Sequence, residues 1–249
     1  YAADGYASSS AAALGRVSAP ANELLTLADY RTRHAQYKSD PDSKNLHALK
    51  PMMAVWDDHE IANDAFASGA ENHTPATEGT WANRKAAALQ AYHEWMPIRT
   101  GADKAKIYRS FNFGNLVSLH MLDTRLIGRD EQIEIGDLAG LTGAAAQANA
   151  LAAYTSATRQ MLGAEQMTWL QGQLAASSAR WQVLGQQVLM GRMEFPATVL
   201  AALNTSDLSE AAQLAGQQAV SDYLTAKATP ANARTPTQMG LMNTTLNPK

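Results

Sequence analysis

The apolar positions of this chain change period along its length, and the changes mark out helices and strands in alternation. Over residues 21–38, Leu24, Leu27, Ala28, Tyr30 and Ala35 are interleaved with Arg31, Arg33 and His34, the pattern of an amphipathic helix that Asp40, Pro41 and Asp42 break. Residues 51–56 form a short apolar run, Pro51-Met52-Met53-Ala54-Val55-Trp56, which predicts a buried strand stopping at Asp57-Asp58-His59-Glu60. Trp81, Ala88, Tyr92 and Trp95 repeat at helical spacing before Pro97, predicting a helix over 80–95. Residues 107–113 and 115–123 read as a β-hairpin with Gly114-Asn115 in its turn and Val117, Leu119 and Met121 on one face. A helix is predicted over 165–175, carrying Trp169 and Leu170, and a Val-rich strand over 181–190.

The remaining stretches carry less pattern. Residues 1–20 are rich in Ala, Ser and Gly and read as a loop, whereas 127–162 are Ala- and Gly-dominated, a helical insertion or an irregular lid. After Pro196 the chain is Ala-rich and helical to about Ala226, then polar and Pro-bearing to Lys249. Without a repeat or a clear linker, one domain over residues 1–249 is expected. Alternating strands and helices predict an α/β architecture, in which polar strand ends carry the chemistry. That rule directs attention to residues 57–64 and 123–125.

Composition removes several alternatives. Of 249 residues, 20 are Lys or Arg and 23 Asp or Glu, a net charge of -3 that supplies no basic footprint for a polynucleotide. No apolar run reaches the ~18 residues of a membrane span, and the first residues lack the pattern of a secretory leader. Cysteine is absent, so neither a disulfide framework nor a thiolate is available. Gly114, Gly128, Gly136 and Gly140 make neither a P-loop nor a dinucleotide fingerprint, and no G-x-S-x-G occurs.

The densest chemistry is Trp56-Asp57-Asp58-His59-Glu60-Ile61-Ala62-Asn63-Asp64, with four carboxylates, an imidazole and an amide. Hard oxygens with one imidazole suit divalent or trivalent metal ions, and a nearby histidine can protonate a departing alkoxide. The competing reading makes the carboxylates caps of a following helix and His59 a solvated side chain. At the second strand end, Arg125 is either a clamp for a phosphate oxygen or one half of a structural pair with Asp123. His34, His47, His73, His93 and His120 stand singly and are read as structural, and Trp81, Trp95, Trp169 and Trp181 as core.

Several runs, in order, resemble the central stretch of the PhoD-like alkaline phosphatases and phosphodiesterases. They are Leu27-Ala28-Asp29-Tyr30-Arg31, Tyr37-Lys38-Ser39-Asp40-Pro41 with His47, and Asp57-Asp58-His59-Glu60 through Asp64. Ala91-Tyr92-His93-Glu94-Trp95 with Pro97 and Arg99, Tyr108-Arg109-Ser110-Phe111 and Leu122-Asp123-Thr124-Arg125 follow. Leu162-Gly163-Ala164-Glu165-Gln166 and Trp181-Gln182-Val183-Leu184 with Gln187 complete the series. The resemblance implies a calcineurin-like metallophosphoesterase, a layered αββα sandwich with Ala-rich helical insertions here, holding iron and calcium ions. It makes Asp58 the implied metal ligand, Asp57 a further ligand or a support behind it, His59 the implied acid and Asn63 a contact of phosphate or metal, while Arg125 is the substrate contact of the strand-end reading.

The family's upstream Gly-Asp element and its downstream Gly-Asp-x-His element have no match in this sequence. The expectation is therefore the central part of a catalytic domain, truncated at both ends, whose Asp58 has too few partners to close a two-metal shell. The resemblance further implies hydrolysis of a phosphate mono- or diester by a metal-activated water or hydroxide, in a secreted or periplasmic protein. The alternative is an inactive fragment or an α/β interaction domain.

Overall fold

The computed structural model describes residues 10–133, 144–188, 195–196, 199, 209–243 and 245–246. The chain is a mixed α/β protein dividing into two compact units: residues 1–132 with 159–188, and residues 133–158 with 189–249.

In the first unit the predicted helix over 21–38 begins six residues late, as α1 (Leu27–Lys38). The start is set by a capping box: Thr26 Oγ1 accepts from the Asp29 amide at 3.3 Å, and Asp29 Oδ2 accepts from the Thr26 amide at 2.8 Å. Asp40 and Pro41 do end this helix, but they also begin another, α2 (Pro41–Leu49), in which Asp40 is the N-cap and Pro41 occupies the first turn. A short α3 (Pro75–Glu78) precedes α4 (Trp81–Trp95), capped by Thr80, which matches the predicted helix closely.

Helices α1 and α4 pack together. Between them and the loops lies the main core, with Leu24, Tyr30, Trp56, Ile61, Ala88, Ala91, Tyr92 and Ile107 buried. Arg31 forks onto Glu94 through two 2.6 Å hydrogen bonds at the exposed rim. Arg84, buried, donates to Glu23 at 2.8 Å and Glu78 at 3.1 Å, so the charge inside this core is paired.

The hairpin forms as read: β1 (Arg109–Phe113) pairs antiparallel with β2 (Val117–Met121), with Phe113 opposite Val117. On the other side β2 pairs in parallel with β3 (Trp181–Gly185), giving the order β1-β2-β3. The burial of β2 is reversed from its apolar pattern. Ser118 and His120 are buried while Val117, Leu119 and Met121 are half-buried. His120 is satisfied there by Ser110 Oγ at 2.7 Å and Gln182 Oε1 at 3.1 Å, a structural role. Trp181 is 62% exposed on β3, not core as its aromatic area suggested.

Helix α6 (Gly163–Ala176), which covers the predicted 165–175, packs Leu162, Leu170 and the half-buried Trp169 against Leu122 at the end of β2. The approach is close because neither backbone carries a side chain. A Cβ on Gly128 would lie 2.4 Å from the Gly163 Cα.

The expected strand over 51–56 does not form. No strand is assigned there, and Met52 and Met53 are exposed, although Trp56 is fully buried. Two of its carbonyls instead take side-chain donors: Ala54 O accepts from Arg109 Nη2 at 2.7 Å, and Trp56 O from Gln187 Nε2 at 2.6 Å. Side chains thus supply part of what a neighbouring strand would have supplied, and the run keeps its place without a ladder.

In the second unit, α5 (Ala144–Tyr154) falls in the Ala-rich stretch that was read as an insertion or lid. The residues 134–143 of that stretch, with Gly136 and Gly140, lie outside the described residues, as do 1–9 of the leading loop. Helix α7 (Glu210–Ala228), capped by Ser209, is the Ala-rich helix expected after Pro196. A 3-10 turn (Ala231–Ala233) and α8 (Pro236–Asn243) follow, and β4 (Phe195–Pro196) pairs antiparallel with β5 (Thr245–Leu246).

Candidate functional site

Residues 57–64 run as successive turns rather than as the capped helix of the competing reading. The turns are organised by Asp58, whose carbonyl accepts from the Ile61 and Ala62 amides at 2.7 and 2.8 Å. Its buried carboxylate spans the same segment: Oδ1 accepts from the His59 amide and Oδ2 from the Asp64 amide, both at 2.9 Å. Asp64 closes the turn with φ 48°, a left-handed conformation that Asp tolerates better than most residues. Trp56 anchors the near end of the segment, edge-on to Tyr92 of α4 with ring centroids 5.5 Å apart.

Arg125 arrives from the end of β2. It is 8% exposed, and its guanidinium sits among three carboxylates. Nε donates to Asp57 Oδ1 at 2.7 Å, Nη1 to Asp64 Oδ1 at 3.2 Å, and Nη2 lies 3.6 Å from Asp58 Oδ2. Desolvation works against this charge, but Asp58, Asp57 and Asp64 outweigh it and raise the Arg125 pKa above the ordinary arginine value. Neither sequence reading of Arg125 named this partner set. Asp123, the partner proposed by the structural alternative, instead receives the Arg125 and Leu126 amides on Oδ1 at 2.8 Å each. Burial pushes the Asp123 carboxyl above the usual carboxylate range against those two bonds.

His59 and Asn63 form a second, adjoining arrangement. His59 Nε2 and Asn63 Oδ1 are 2.6 Å apart, and the Asn63 amide donates to Glu71. A second tie, Glu71 N to Asn63 O at 3.1 Å, holds the two segments in register. With its amide nitrogen turned to a carboxylate, Asn63 presents its oxygen to the imidazole, which favours the tautomer that carries the proton on Nε2.

Glu60 donates nothing to this group. It accepts from the Asp57 amide at 2.6 Å, is pushed above the ordinary carboxylate range by burial, and lines a cavity of about 1000 Å³ with Arg16, Lys38, His47, Met52 and Val55. Lys38 Nζ and His47 Nε2 are 2.7 Å apart there. His34 is buried, His73 Nδ1 lies 3.2 Å from Glu78 Oε2, and His93 contacts the Lys104 carbonyl. Among the described residues, His47, His73, His93 and His120 have partners other than Asp57, Asp58 and Asp64.

The donor types fit a hard metal ion, since Asp58, Asp57 and Asp64 bring carboxylate oxygens and His59 an imidazole. Each Asp58 oxygen accepts one backbone hydrogen bond and so keeps a lone pair for an ion. Among the described residues, no three His, Asp or Glu side chains are arranged to hold a metal. Asp57 is turned onto Arg125.

Sequence reasoning gave no structural role to four residues that shape this site: Glu71, Asp64 as a guanidinium partner, and the glutamines Gln166 and Gln187, which it quoted only as part of the resemblance. Gln166 exchanges two hydrogen bonds with the Asp123 backbone, at 2.8 and 2.7 Å. A polar residue near the terminus of a largely apolar helix or strand was the available signal for both glutamines.

A PhoD-like phosphatase family model matches residues 1–233. Alkaline phosphatase D of Bacillus subtilis (strain 168) is 39% identical over 178 residues, which cover 70% of this chain and 28% of that protein. The solved structure of PhoD superposes with a TM-score of 0.57 at 36% identity, over 71% of this chain and 32% of the other. The chain thus spans about a third of the length of these relatives.

Proposed function

The chain belongs to the PhoD-like phosphatase family, and from that premise we propose that residues 57–64 and 123–125 are its contribution to a site that hydrolyses a phosphate mono- or diester. The observation that carries the reading is the junction itself: a buried guanidinium and a histidine with an oriented Nε2 are brought together by two polar segments 68 residues apart.

Arg125 binds the substrate. Its Nε and Nη1 donors are committed to Asp57, Asp64 and Gln132, whereas among the described residues Nη2 has only the long 3.6 Å contact with Asp58. A phosphoryl oxygen is a stronger acceptor partner than that contact, and the carboxylates that hold the other nitrogens keep the group aimed. His59 acts as the acid in its imidazolium form: Nε2–H stays on Asn63 Oδ1, 2.6 Å away, which fixes the ring, and the Nδ1 proton passes to the departing alkoxide, leaving a neutral imidazole.

The family is one of metalloenzymes, and Asp58 with Asp57 would hold part of an iron and calcium centre. When bound, such ions polarise the phosphoryl group and lower the pKa of a water or hydroxide nucleophile. The same premise carries a calcineurin-like αββα architecture for the first unit and a secreted or periplasmic location.

The test is hydrolysis of p-nitrophenyl phosphate and its bis ester by the protein supplied with iron and calcium. Turnover that falls at least 100-fold in both Arg125→Ala and His59→Ala is expected, with metal content unchanged in the second variant. Failure of the unsubstituted protein to hydrolyse either ester would overturn the reading in favour of an inactive interaction domain.

A further inference from the structure

Gln187 lies two residues beyond β3 and spends its whole hydrogen-bonding capacity on the backbones that carry the candidate site. Its Nε2 donates to Trp56 O at 2.6 Å and to Leu122 O at 2.8 Å, one hydrogen to each. Its Oε1 accepts from Thr124 Oγ1 at 2.6 Å and from the Thr124 amide at 3.1 Å. Trp56 immediately precedes Asp57, and Thr124 immediately precedes Arg125. One planar amide therefore fixes the residue before each partner of the Asp57 to Arg125 pair, and Leu122 beside them, whose own amide donates to Gly185 O at 2.8 Å.

No other side chain of similar length meets these demands. The Trp56 and Leu122 carbonyls need two donors from one end of the group, and Thr124 needs an acceptor at the other. Glutamate would present an acceptor to two carbonyls, asparagine is one methylene too short to span them, and methionine fills the volume without a hydrogen bond. Because 51–56 has no strand ladder, its attachment to β2 and β3 near the site depends on this amide.

We propose that Gln187 is a positioning residue, which sets the Asp57 to Arg125 geometry and with it the alignment of Nη2 toward a phosphoryl oxygen. The proposal rests on the reading of Arg125 as the phosphate contact. Gln166 holds the Asp123 backbone and Leu162 O and, among the described residues, has no bond to the 57–64 segment, so it does not join the two segments as Gln187 does.

The experiment uses Gln187→Met and the milder Thr124→Val, which removes the hydroxyl bond alone and guards against a Gln187→Met protein that does not fold. The Arg125 Nε–H, hydrogen-bonded to Asp57, is followed by 15N NMR and assigned by its loss in Arg125→Lys. Inhibition by inorganic phosphate and the split of kcat from KM are measured alongside. Both variants are expected to speed exchange of that Nε–H. Gln187→Met is expected to weaken phosphate inhibition about ten-fold, and Arg125→Lys to cost less in its background than in the wild type. A lowered melting temperature with the Nε–H still protected and the Arg125→Lys effect undiminished would overturn the proposal and leave Gln187 a purely structural residue. If the unsubstituted protein hydrolyses nothing while the Nε–H responds as expected, the phosphatase reading fails and the positioning role stands.

Discussion

Asp57 Oδ1 and Arg125 Nε meet at 2.7 Å although 68 residues separate them, and the arginine is buried while the aspartate side chain is 45% exposed. An ion pair of this asymmetry is held from the buried side. Removing Asp57 leaves Arg125 with Asp58 and Asp64, whereas removing Arg125 leaves three carboxylates facing one another.

The first prediction follows from that asymmetry. Arg125→Met should destabilise the protein by about 2–4 kcal/mol, near the lower part of the range for breaking a buried pair because Asp57 and Asp64 can turn to water. Asp57→Asn should cost less than about 1 kcal/mol. Denaturant midpoints at constant m-value measure both, and equal costs would contradict the account.

Glu71 reaches His59 through Asn63. Glu71→Ala is expected to lower kcat by about ten-fold with KM little changed, since the proton donor loses its orientation but no substrate contact is lost. A change confined to KM would assign Glu71 to substrate binding instead.

His34 gives a stability prediction with a defined pH window. Burial, with Lys38 nearby, lowers its pKa from 6.5 to about 4. A group whose folded pKa is depressed is protonated more readily in the unfolded chain, so its contribution is present above pH 6.5 and is lost as pH falls toward 4. The loss should be about 1–2 kcal/mol after allowance for solvent screening, and His34→Gln should flatten the stability profile between those limits. Urea titrations across pH 4–7 measure it.

The last prediction concerns the docking of α6. Gly128→Ala would place a methyl 2.4 Å from the Gly163 Cα, backbone against backbone, so neither side can yield by a rotamer change. A cost above about 2 kcal/mol is expected, whereas Ala at Gly172, where nothing lies within 4 Å, should stabilise by a few tenths of a kcal/mol through helix propensity. Thermal denaturation of the two variants should move in opposite directions.

Local signals were sufficient for much of this fold. The 3.6-residue pattern before Pro97 defined α4 to within a residue, and Gly114-Asn115 between two alternating runs defined the hairpin, because caps, turns and periodicity act over a few residues. They failed where the deciding partner is distant. The run 51–56 has the composition of a buried strand, but its carbonyls are met by Arg109 and Gln187, and strand character needs a neighbour that composition cannot supply. His120 and Ser118 are buried in β2 because Ser110 and Gln182 satisfy the first and Asn112 and Ser177 the second, a matter of cross-strand register.

The candidate site divides along the same line. Residue order alone reveals which groups are available: the carboxylates and imidazole of 57–64, the arginine at 125, and the family to which the order of these motifs belongs. Their use depends on the folded path, which turns Asp57, Asp58 and Asp64 toward one guanidinium, joins His59 to Glu71 through Asn63, and places one glutamine amide between the two segments. Hydrogen bonds between segments 60 or more residues apart leave no periodicity in the chain, since each depends on the folded path of both backbones.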